Sequence, residues 1–132
     1  MSDFFKTIVK GVKNAIMNPK KSKKMMEATI MWQKAKDEAE EKRKLDGHRY
    51  FVIYDGGQKK LICITYDIYR SRGDSYQYLR QRGAFKRPLR REELKSLCFY
   101  YTTSKWTSHG CTEEEQKEKL MEWQRYYFRI NP

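Results

Sequence analysis

The sequence predicts an α+β fold: a small domain with a β-hairpin plus a short third strand flanked by helices, preceded by an N-terminal helical arm. Three observations predict it. Two runs of β-branched and aromatic residues flank Gly56-Gly57, which is the pattern of a hairpin. Apolar residues recur at helical spacing both before and after those runs. The chain has 132 residues, of which 39% are hydrophobic and 35% charged, enough for one small core and an appendage. Asp46-Gly47 divides the two: 1–46 as a basic amphipathic helix and long helical arm, 47–132 as the α+β domain.

Taken in order, Ser2 suits a helix N-cap and Asp3 its first turn. Phe4, Phe5, Ile8, Val9, Val12, Ala15 and Ile16 then fall within a single helical arc of about 140°, with Lys6, Lys10 and Lys13 opposite. Asn18-Pro19 ends the pattern, since a residue before proline avoids the α region. The apolar face of Phe4, Phe5, Ile8, Val9, Val12 and Ile16 is a candidate docking surface. Its own domain, an identical neighbour or a protein partner ranks ahead of a membrane surface as the occupant. Lys20, Lys21, Lys23 and Lys24 follow, either as a solvated helix start or as a phosphate-seeking patch. From about Met25 to Leu45 the residues favour helix, and Met25, Ala28, Trp32, Ala35 and Ala39 form a narrow seam of coiled-coil spacing. The acids Asp37, Glu38, Glu40 and Glu41 read as an ordinary exposed face.

The hairpin spans about 48–69. With Gly56-Gly57 as its loop, Phe51 lies opposite Ile62 and Val52 opposite Leu61. Both faces then carry apolar residues, so both must be covered, because a two-strand ribbon is not stable alone. Gly83 ends a short helix and Pro88 opens another, whose Leu94 and Leu97 point inward. Residues 98–103 read as the third strand. Thr112 with Glu115 has capping-box spacing, opening a last helix with Leu120, Trp123, Tyr127 and Ile130 on its inner stripe.

Charge is distributed unevenly. The formal net charge is +12, and two blocks carry the whole excess: residues 1–24, rich in lysine, and residues 70–95, rich in arginine, at +6 each. Arginine suits phosphate because its planar fork gives bidentate hydrogen bonds and stacks on rings. Arg70, Arg72, Arg80, Arg82, Lys86, Arg87, Arg90 and Arg91 are the candidate phosphate contacts. Tyr76, Tyr78 and Phe85, interleaved with them, are candidate faces for bases to stack on. The expected function is non-enzymatic association with nucleic acid, DNA or RNA, through phosphate contacts with low base selectivity.

Two other classes remain open at this point. One is a structural assembly protein, such as a component of a phage or mobile-element particle, whose N-terminal helix docks on neighbouring subunits. The other is a small metal-independent ribonuclease, in which a positive field stabilises the pentavalent phosphate and His48, Arg49, His109 and Tyr101 are the first suspects. No metal or cofactor is expected: His48, His109, Cys63, Cys98 and Cys111 include no pair at zinc-site spacing, and no phosphate-binding glycine loop is present. Three cysteines are too few for a disulfide scaffold, which points to a reducing, cytoplasmic setting. No apolar run approaches the length of a membrane span.

Overall fold

Pro19 opens the first helix, where its missing N–H would have had no partner and its fixed φ already suits the turn. The structure, a computed structural model, describes residues 19–66 and 90–132. The expected amphipathic helix with Phe4, Phe5, Ile8, Val9, Val12 and Ile16 lies outside them. So do Arg70, Arg72, Tyr76, Tyr78, Arg80, Arg82, Phe85, Lys86 and Arg87. The described elements run α1 (Pro19–Asp46), β1 (Tyr50–Asp55), β2 (Lys60–Thr65), α2 (Arg91–Leu97), β3 (Tyr100–Tyr101) and α3 (Glu113–Ile130).

The strands form one antiparallel sheet in the order β2-β1-β3. Its hairpin register differs from the sequence expectation by two residues: Phe51 faces Ile64 and Val52 faces Cys63. The reason lies in Asp55, whose buried carboxylate accepts from Gly57 N (2.8 Å), Gln58 N (3.2 Å) and Gln58 Nε2 (2.6 Å). These bonds close a four-residue loop, Gly56 to Lys59, with Lys59 at φ 55. A two-residue shift leaves every side chain on its expected face.

Each face has its own cover. Tyr50, Val52, Leu61 and Tyr100 pack with Ala28, Trp32, Ala35 and Ala39 of α1 and with Leu120 and Trp123 of α3. Phe51, Ile53, Ile64 and Tyr101 pack with Leu94 of α2 and with Cys98. The Ala-Trp seam that reads as a coiled-coil edge is therefore an internal contact, and α1 shares one core with the sheet and α3. Alanines along the seam let the helix backbone approach the sheet. Where the large rings sit, their polar atoms are satisfied. Trp32 Nε1 donates to Phe99 O (2.7 Å) and Trp123 Nε1 to Ala28 O (2.8 Å), both in the core.

Thr112 caps α3 by accepting from Glu115 N (3.1 Å). The buried Lys119 extends its ammonium to Lys95 O (2.7 Å) and Cys98 O (2.9 Å), placing a cation at the carbonyl end of α2. Among the described residues no helix is long and apolar enough to cross a membrane.

Replacing Trp32 or Trp123 by phenylalanine removes a buried hydrogen bond and leaves unfilled volume. Each change is expected to destabilise by about 1–3 kcal/mol. Trp106→Phe, at a residue 66% exposed, is expected to stay within about 0.5 kcal/mol. Urea unfolding of the three variants checks the contrast.

Candidate functional site

Gly47 ends α1 with φ +78, a conformation that favours glycine, and its N–H donates to Arg43 O at 2.7 Å. The same residue receives a second segment of chain. Lys105 N donates to Gly47 O (2.8 Å), and a Cβ at position 47 would come within 2.8 Å of the Lys105 Cδ. Lys105 and Trp106 occupy the tip of a tight turn in which Ser104 N donates to Thr107 O at 3.0 Å. Ser104 Oγ also accepts from the amides of Trp106 (3.2 Å) and Thr107 (3.1 Å). Four short bonds thus fix the backbone beneath an exposed indole.

Around that indole the surface is cationic and aromatic. The Lys105 ammonium lies 4.4 Å from the Trp106 ring centroid, and the His48 ring lies 5.4 Å from it, tilted by 47°. His48 is oriented by its backbone, whose N–H donates to Asp46 Oδ1 (2.9 Å). His48 and Trp106 line an open cleft of about 480 Å³ together with Arg49, Tyr66, Arg91, Phe51, Thr65 and Glu92. The Arg91 guanidinium sits 4.9 Å from the Tyr66 ring centroid.

That last contact concerns the arginine-rich block. Tyr66 is the last described residue before positions 67–89, and Arg90 is the first after them. Tyr66 and Arg91 therefore share the cleft, while most of the block lies outside the described residues. Of the candidate phosphate contacts, Arg90 and Arg91 fall within the described residues, and both are exposed. Trp106 and Lys105 were not singled out by sequence reasoning. The available signal was a tryptophan flanked by Ser104, Lys105 and Thr107, outside any apolar periodicity and hence unsuited to a core.

The four residues suspected of hydrolytic chemistry do not come together as a set. His48 and Arg49 line the cleft, but the Arg49 guanidinium donates to Thr102 O (2.8 Å) and to His109 O, both backbone carbonyls. Tyr101 donates its hydroxyl to Glu115. Burial, reinforced by that bond, raises the Tyr101 pKa, while the same bond holds the Glu115 carboxyl below its usual range. Among the described residues no group of three or more His, Cys, Asp and Glu is arranged to hold a metal.

Burial pushes the thiols of Cys63 and Cys111 from 9.0 up to about 12, and burial plus the Asp46 bond pushes Tyr50 from 10.0 up to about 12. The Tyr50 hydroxyl in turn lowers the Asp46 carboxyl.

Two outcomes follow. Groups whose pKa is raised by folding stabilise the native state below their unfolded value and withdraw that stability as pH climbs. The urea midpoint is therefore expected to fall as pH rises from about 9 toward 12, where the unfolded thiols ionise and the folded ones do not. Asp46 and Glu115, shifted down, act in the opposite sense, and their contribution is lost on acidification through the carboxylate range. Separately, Gly47→Ala imposes a left-handed conformation on a β-carbon and crowds Lys105, so a loss of about 1–2 kcal/mol in unfolding free energy is expected.

No protein-family model, no curated protein and no solved structure matches this chain.

Proposed function

We propose that this chain is a non-enzymatic nucleic-acid-binding protein that holds the phosphate backbone with little selectivity among bases. The observation that carries the reading is the contact of Arg91, one of the arginines of that block, with the Tyr66 ring in a cleft that Arg49 also lines. Seven arginines lie between residues 70 and 91, and the last of them, Arg91, lines the cleft with His48 and Arg49. Such a concentration of fixed positive charge attracts a polyanion and displaces its counterions. Aromatic rings interleaved with the cations, Tyr66 and Trp106 in the cleft and Tyr76, Tyr78 and Phe85 in the block, suit a partner that carries both phosphates and bases.

Binding without turnover is favoured by how the suspected catalytic groups are engaged. Arg49 is held by two carbonyls and Tyr101 by Glu115.

Fluorescence anisotropy with single- and double-stranded DNA and RNA over a range of salt tests the proposal. The affinity of the parent is expected to fall steeply as salt rises. Exchanging Arg80, Arg82, Arg87 and Arg90 for glutamine is expected to reduce the duplex slope of log affinity against log salt by about three to four. The loss is expected to be nearly equal across sequences, since phosphate contacts position a protein without reading bases. A quadruple variant that folds and binds every nucleic acid as the parent does would overturn the reading. The block would then face a protein, and assembly through the N-terminal segment would take its place.

A further inference from the structure

We infer that the Trp106 cleft is a stacking site for an unpaired base, so that the protein prefers single-stranded nucleic acid to duplex. The inference rests on the nucleic-acid reading above and adds the form of the strand that this surface takes. Of the three tryptophans, Trp32 and Trp123 are wholly buried, and each donates its indole N–H within the core. Trp106 is 66% exposed at the tip of a turn. An exposed indole on a turn whose backbone is hydrogen-bonded is a poor solubilising residue and a good platform for a planar ring.

Its surroundings match a nucleotide in parts. The His48 ring, 5.4 Å away, extends the aromatic surface. Lys105 lies 4.4 Å from the indole centroid and Arg91 lines the cleft beside Tyr66, so positive charge stands near the space where a base would lie. The volume of about 480 Å³ lies within the range of small-molecule sites and accommodates one nucleotide. A base inside a duplex is stacked on both faces by its neighbours and cannot reach the indole without leaving the helix. A base in a single strand can, and that difference is the source of the preference.

The test compares short single-stranded oligonucleotides with a duplex of the same sequence, using the full chain and its Trp106→Ala, Trp106→Phe and Lys105→Ala variants. Trp106→Ala is expected to weaken single-strand binding by roughly tenfold to a hundredfold and to leave duplex binding nearly unchanged. Trp106→Phe is expected to retain most of the single-strand affinity, because a smaller ring still stacks. Lys105→Ala is expected to lower the salt dependence on both forms alike. In the parent, single strands are expected to quench the exposed indole's fluorescence, and Trp106→Ala to abolish that quenching. The inference falls if Trp106→Ala binds single strands as the parent does, or loses both forms equally. Should duplex and single strand bind with the same affinity and steep salt dependence, the nucleic-acid reading stands and this one fails. Absence of binding to every nucleic acid at low salt overturns both.

Discussion

Two indole N–H groups in a dry core constrain everything on one side of the sheet. A tryptophan can be buried whole only where its nitrogen meets an acceptor, and here both acceptors are backbone carbonyls. Trp32 reaches from α1 to Phe99 at the entrance to β3, and Trp123 reaches from α3 to Ala28 of α1. Helix, strand and helix are thereby tied in a fixed order, and Phe99, Trp123, Tyr54, Tyr126 and Tyr127 fill the space between them with ring centroids 5.2–6.1 Å apart. Thr29 completes the contact by accepting from Gln124 Nε2 (3.0 Å) inside the same layer.

Around this layer the chain reconciles a small core with a high charge content through one repeated device. Tyr50, Tyr100, Tyr101 and Tyr127 each pack a ring against apolar neighbours and hand the hydroxyl to a carboxylate: Asp46, Glu40, Glu115 and Glu27 respectively. Acids that would otherwise be surface ornaments of α1 and α3 become anchors, three for sheet residues and one, Glu27, for Tyr127 of α3. A neutral phenol meeting a carboxylate gives a charge-assisted hydrogen bond without bringing a cation out of water. Lys36 shows the cost of the alternative: burial lowers its pKa, even though it donates to Gln116 Oε1 at 2.7 Å.

The fold was legible where local chemistry decides it. Gly-Gly between β-formers marked the hairpin, Thr112 marked the start of α3, and the apolar faces of both strands required cover on both sides. What failed was nonlocal or rested on one side chain. The register slipped by two because the Asp55 carboxylate, not the glycine pair, shapes the loop. The Ala-Trp seam of α1 suggested a helix partner because a sheet later in the chain leaves no mark on helical periodicity. Glu40 looked exposed because nothing local reveals that Tyr100 will find it. At the candidate site, composition singles out an arginine block of which only Arg90, Arg91 and the residues after them fall within the described chain, and Trp106 is not singled out because a lone aromatic in a polar turn belongs to no repeating pattern.

α1 is fastened at both extremities. Near its start Lys24 Nζ donates to Asn131 O (2.5 Å) at the end of α3, and at its finish Gly47 O accepts from Lys105 at the cleft. A helix of 28 residues is about 42 Å long, so α1 is a ruler. It holds the lysine cluster at 20–24 a set distance from the Trp106 cleft. Duplex nucleic acid rises about 3.4 Å per base pair, and a polyanion lying along the helix and touching both extremities would cover roughly a dozen steps. On the proposed reading, a polyanion shorter than that would reach one end of the helix but not both.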